Sequence, residues 1–313
     1  MTLRFWISNP QLKTLRNFLY DFNNGLWLMK IILIVSHERS GTHFLIDSIV
    51  KNFNNAVFPR IRPSFSTVEN LLLPHDNQVT ENFYNFLFSD KDDAKFRIFK
   101  THLLPDEFEI VLNNKIFFAN LKDRKIVEFI YKNATKIYIT RDVYDVIVSR
   151  YHYMKNGGGL QNGMHQRLAE ISLYDFIRMP NYHIMPCRPF SDFDRNLITY
   201  WSYHVNQWSK NNVIHVSFED LTRNFEKTIK SIAEKLGKTD LLVENISKPI
   251  MKRPSRYRIL NVMRKIIKRI LKIKSNNFES TAVQPRKGII GDHKTLFSEE
   301  DYDFIKKQLD NIQ

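Results

Sequence analysis

The sequence predicts an α/β fold: a central, mostly parallel sheet with helices on both faces. Three observations predict it. Four short runs rich in β-branched residues, at 30–36, 96–100, 136–140 and 213–217, end in polar residues and have the length of buried parallel strands. Segments with apolar positions at i, i+3 and i+4 separate them. Glycine is scarce, nine in 313 residues, so each one is expected to answer a backbone need such as positive φ or close ligand approach.

Taken in order, the run 30–36 leads through a turn containing Gly41 into a helical pattern over 41–53. The run 136–140 leads into a second pattern over 142–154, and the run 213–217 into a third over 219–236, where Gly237 stands at a helix C-cap position. No internal repeat or low-complexity linker splits the chain. The reading is a 1–28 extension followed by one domain over 29–313, with a variable middle at about 156–190. In folds of this class ligands gather at the carboxyl ends of the strands.

The chain has 47 Lys+Arg against 33 Asp+Glu, a net charge of +14, with 43% hydrophobic and 13% aromatic residues. That much apolar material excludes global disorder. The single cysteine, Cys187, has no partner for an internal disulfide or a cysteine zinc site, which fits a reducing, cytoplasmic setting. The apolar stretch 26–35 is interrupted by Lys30 and falls short of the roughly 20 residues a membrane span needs. Residues 1–28 do not read as a secretion signal. Ten of the basic residues crowd into 251–274 without an acid, so the charge excess is local. No zinc-finger, RRM, KH or helix-turn-helix pattern accompanies it, and no nucleic-acid partner is expected. Within that stretch, 259–274 places apolar residues at 259, 260, 263, 266, 267, 270 and 271 on one helical stripe, opposite lysines and arginines. Two readings stand: a lid helix packed on the domain, or an interfacial helix making peripheral contact with anionic lipid.

Four motifs carry the chemistry. The first, Arg39-Ser40-Gly41-Thr42-His43-Phe44 between the first strand and its helix, has the composition of a P-loop-like anion cradle: a helix N-terminus with arginine and hydroxyl donors around it. It is no Walker A loop, since GxxxxGK[ST] is absent. The second is Lys100-Thr101-His102 at the end of the second strand, where a cation able to neutralise developing charge adjoins a base that titrates near neutrality. The third pairs Arg141, at the third strand's end, with Ser149 two helical turns on, a guanidinium and a hydroxyl suited to a phosphate monoester. The fourth is the basic loop Arg286-Lys287-Gly288 running on to Gly291 and Lys294, a candidate cover for a polyanion. Each alone also has a plain reading: a capped turn, a hydrogen-bonded histidine, an Arg141 pair with Asp142 or Asp145, a solvated charge run.

In this order and at these separations, the four motifs resemble the PAPS-dependent sulfotransferase family, the cytosolic-type enzymes and their bacterial relatives. The resemblance runs from about Lys30 to about Lys307. It implies that residues 39–44 receive the 5′-phosphosulfate, with Arg39 where lysine is common and Phe44 in place of a tryptophan flanking the base. It also implies that Lys100 and His102 are catalytic, His102 as general base, with Arg39 assisting. Arg141, Ser149, Arg286, Lys287 and Gly288 then receive the 3′-phosphate. Phe218 replaces a common tyrosine, and His293 a common tryptophan. His204, in Trp201-Ser202-Tyr203-His204-Val205-Asn206-Gln207-Trp208, is read as structural. The implied activity is sulfuryl transfer from PAPS to an acceptor hydroxyl (a phenol, a lipid-linked alcohol or a carbohydrate), releasing PAP by in-line transfer. No metal is expected. Aromatic residues such as Tyr151, Tyr174, Phe176 and Phe190 suit any of these acceptors. The rivals are a nucleotide kinase and a non-enzymatic basic protein of membrane surfaces.

Overall fold

The computed structural model describes residues 30–58, 67–72, 77–88, 96–114, 118, 120–155, 170–180, 195–249 and 288–311. The extension 1–28, Cys187, the 259–274 segment, Arg286 and Lys287 lie outside the described residues. The chain divides into two compact units, Met1–Arg141 with His204–Ser247, and Asp142–Tyr203 with Lys248–Gln313.

The first unit holds the sheet. Its strands are β1 (Lys30–Ser36), β2 (Ala56–Val57), β3 (Phe96–Thr101), β4 (Thr135–Thr140) and β5 (Ile214–Ser217). They lie in the order β2-β3-β1-β4-β5, and every pair is parallel. Ile31 to Val35 are all buried, which requires cover on both faces of β1, because consecutive side chains point to opposite sides. Two helix groups supply it. One contains α1 (Thr42–Asn52), α8 (Phe218–Arg223) and α9 (Phe225–Leu236); the other contains α2 (Asn77–Phe88), α3 (Pro105–Asn113) and α4 (Leu121–Asn133). Val35 pairs with Thr101 and with Tyr138, and Thr140 with Ser217. The carboxyl ends therefore finish level, and the turns leaving them share one rim.

Local chemistry sets the helix bounds. Pro105 opens α3, where its missing N–H costs nothing, and the Glu107 carboxylate accepts the Leu104 N–H at 2.7 Å. The Asn120 side chain caps α4 by accepting from the Asp123 N–H. The continuous helix expected over 219–236 is two helices, broken at Asn224 with φ −113° and ψ 45°. Ser217 caps the first of them, and Gly237, at φ 62°, ends the second.

The second unit comprises α5 (Val143–Lys155), α6 (Leu173–Arg178), the first part of α7 (Leu197–Ser209), a short 3-10 turn at Asp292–Thr295 and α10 (Glu299–Asp310). Arg178 joins α6 to α10: its guanidinium lies 3.0 Å from Asp301 and stacks on Tyr174 and Phe304. Among the described residues no helix is long and apolar enough to cross a membrane.

Candidate active site

The rim begins where β1 delivers the chain to α1. Arg39 and Gly41 take positive φ, 70° and 98°, folding the backbone tightly enough for α1 to start at Thr42. No side chain caps α1, and its first ladder bond is Leu45 N–H to Gly41 O at 3.0 Å, so the preceding N–H groups of that turn remain for an anion. Ser40 is a second feature of this turn that suits an anion. Its hydroxyl is buried with no hydrogen-bond partner among the described residues, an expense a bound oxyanion would remove.

Gly41 also answers a packing need. A Cβ there would lie 2.4 Å from Cδ2 of Phe218. The same Phe218 ring carries the Arg141 guanidinium 4.5 Å from its centroid and meets Phe44 edge-on at 5.9 Å. Gly41, Phe44, Arg141 and Phe218 thus form one layered group at the ends of β1, β4 and β5. Arg141 is 8% exposed and rests on an aromatic face.

Lys100 and His102 sit across the rim on the exit from β3. Lys100 Nζ lies 3.2 Å from His43 Nε2. Burial, then the charges of Lys100 and Arg39, push His43 down to about 3. The ring is therefore neutral, and Nε2 accepts from the ammonium. Burial likewise lowers Lys100 from the ordinary lysine value, opposed by Glu69.

His102 is held by its ring and by its backbone. Nδ1 lies 2.8 Å from the Ser36 carbonyl oxygen, which can only accept, so Nδ1 carries the proton and Nε2 is the ring's acceptor nitrogen. The Ser36 hydroxyl lies 3.2 Å from the same Nδ1 and 2.6 Å from the Thr42 hydroxyl. The His102 N–H donates to Glu69, which a parallel bridge between Thr67 and Lys100 brings alongside β3.

The first unit therefore brings together Arg39, Ser40, Gly41, Thr42, His43, Phe44, Lys100, His102, Arg141 and Phe218. Ser149, 7% exposed on α5, and Gly288, at φ 60°, belong to the second unit. There the Asp145 carboxylate accepts from the Gly291 N–H at 2.9 Å and from His293 Nδ1 at 3.0 Å. Asp142, Asp145 and His293 are the one group of potential metal ligands among the described residues. Hydrogen bonds from Gly291 and His293 already engage both Asp145 oxygens. Tyr151 and Phe176 pack on each other at 5.4 Å, 9% and 1% exposed, as core of that unit.

Sequence reasoning missed Ser36 and Glu69. A serine ending an apolar strand was a signal for the first. Glu69 had none, since only the tertiary bridge brings it to His102.

Residues 30–311 match the family described as Sulfotransferase domain. No curated protein matches the chain significantly. Among solved structures, mouse sulfotransferase SULT7A1 complexed with PAP is 19% identical, with 89% of this chain and 82% of that one covered and a TM-score of 0.47. Retinol dehydratase in a complex with retinol and PAP is 16% identical, with 95% and 86% covered and a TM-score of 0.47. A sulfotransferase from Alicyclobacillus acidocaldarius is 12% identical, with 78% and 96% covered and a TM-score of 0.42.

Proposed function

The chain belongs to the sulfotransferase family, and on that premise we propose that it transfers a sulfuryl group from PAPS to an acceptor hydroxyl, with His102 as general base. The observation that carries this reading is the uncapped start of α1 with the unpartnered Ser40 hydroxyl, on the same strand-end rim as Lys100 and His102. Those groups fit the phosphosulfate end of the donor. We assign that end to Arg39, Ser40, Thr42, His43 and the α1 amides; the motif resemblance, rather than geometry, assigns the 3′-phosphate to Arg141 and Ser149 with Arg286, Lys287 and Gly288, and the nucleotide base to Phe44 and Phe218. Bound there, PAPS supplies the sulfuryl group and departs as PAP.

The chain's own residues do the rest. The Ser36 carbonyl fixes the His102 proton on Nδ1, so Nε2 takes the proton of the acceptor hydroxyl. Lys100 is positioned to meet negative charge as it develops, and its depressed proton affinity reflects a dry site in which such charge stabilisation is strong. No residue in this scheme requires a metal.

A thermal-shift comparison of PAP with Mg-ATP tests the donor assignment. PAP should raise the melting temperature clearly more, because it fills two phosphate sites rather than one; an equal or larger shift with Mg-ATP would favour the kinase reading. A labelled-PAPS screen over phenols, lipid alcohols and sugars then identifies the acceptor class.

A further inference from the structure

We propose that Tyr138 and His204, together with Trp208, form a buried hydrogen-bonded support that positions the His102 backbone, making His204 a positioning residue for the base rather than inert packing. This rests on the reading of His102 as the base.

The argument starts from the end of β3. Its ladder with β1 stops at the pair Val35 and Thr101, so the next residues must find partners elsewhere or leave buried backbone groups unmade. Side chains supply all four. The His102 N–H goes to Glu69, and the Leu103 N–H goes to the Thr101 hydroxyl at 3.0 Å. The His102 carbonyl accepts from His204 Nε2 at 3.2 Å, and the Leu103 carbonyl accepts from Trp208 Nε1 at 3.1 Å. His204 and Trp208 are four residues apart on α7, so one helix face grips two consecutive carbonyls.

Tyr138 completes the device. Because His204 Nε2 donates to a carbonyl, its Nδ1 is the acceptor, and the Tyr138 hydroxyl lies 2.9 Å from it. Burial raises the Tyr138 hydroxyl far above its ordinary value, so it remains a donor. The Tyr138 ring lies near-parallel to both His204 and Trp208, at 5.6 and 6.2 Å, and all three side chains are fully buried. Packing alone does not call for a histidine here. An apolar residue would fill the space without the desolvation cost of two ring nitrogens, whereas a histidine with its tautomer set by a tyrosine can donate to one particular carbonyl. The direction of hydrogen bonding runs from Tyr138 through His204 to His102, and from His102 Nδ1 to Ser36.

Nitrogen-15 NMR of histidine rings in the full chain with PAP bound tests this directly, with His102→Ala used to assign the signals. The expected result is an Nδ1–H tautomer at His102 and an Nε2–H tautomer at His204. His204→Leu should broaden or average the His102 ring signals and lower kcat per PAP-binding site by about tenfold or more, with PAP affinity unchanged. His204→Gln, which keeps a donor for the carbonyl, should restore both. Tyr138→Phe removes one hydroxyl and should produce a smaller effect in the same direction; it decides the matter if His204→Leu does not fold. Unchanged His102 signals and kcat in His204→Leu, or a Gln variant no better than Leu, would overturn the proposal. The base assignment is tested separately: turnover surviving in His102→Ala defeats that reading, whereas its loss there alongside an unaffected His204→Leu defeats only the present one.

Discussion

Replacing His43 with asparagine should flatten part of the acid sensitivity of folding. The ring is pushed from 6.5 down to about 3 by burial and by the neighbouring Lys100 and Arg39, while in the unfolded chain it titrates normally. Between those two values the unfolded chain binds a proton that the folded one refuses, so stability falls as pH drops below 6.5 and continues to fall to about 3. Full linkage gives about 2 kcal/mol lost between roughly pH 7.5 and pH 5. The His43 side chain keeps some contact with solvent, which reduces this to about 1–2 kcal/mol. Asparagine retains an acceptor for Lys100 but does not titrate. Urea unfolding of both proteins at the two pH values isolates the effect, because the other histidines titrate alike and cancel. Wild type should lose about 1–2 kcal/mol more than His43→Asn. Parallel losses would mean that native His43 takes up its proton over the same pH range as in the unfolded chain, and the downward push by burial, Lys100 and Arg39 would be refuted.

His102→Ala should abolish turnover yet leave PAP affinity within about twofold, measured by calorimetry, since a base acts on the acceptor; lost PAP binding would make His102 a structural residue of the cradle. Arg141→Ala should weaken PAP by about 1.5–3 kcal/mol through loss of a charge-assisted contact. Unchanged affinity there would remove Arg141 from the 3′-phosphate site. Gly41→Ala should destabilise the fold by about 2–4 kcal/mol from positive φ plus the collision with Phe218. Combining it with Phe218→Ala should recover part of that loss; strict additivity in the cycle would show that the close approach contributes nothing.

The strands with strong patterns were legible because each is a buried run closed by a polar residue: 30–36, 96–100, 136–140 and 213–217 anticipated β1, β3, β4 and β5 to within a residue or so. β2 was not, because Ala56 and Val57 are too few to show a period. Asn224 broke a helix that apolar spacing carried straight through, since backbone angles at one residue leave no trace in periodicity. Pro105 and Asn120 were readable start signals for α3 and α4, although these helices went unassigned. At the site, the motif residues could be picked out because they cluster beside strand ends. Glu69 and the Tyr138–His204 pair could not, because their role comes from proximity across 33 and 66 residues of sequence.

Ser36 makes two commitments with a single side chain and a single carbonyl. Its hydroxyl is tied to Thr42 at the start of α1, and its carbonyl fixes the tautomer of His102. On the proposed reading, the residues that receive the donor and the base that serves the acceptor are therefore coupled through one residue and do not drift separately. A substitution at Ser36 that moves the strand end by a few tenths of an ångström alters both, so its effects should be epistatic with changes at Thr42 and at His102. If the proposed roles hold, turning the imidazole would also disturb the Ser36–Thr42 pair at the start of α1.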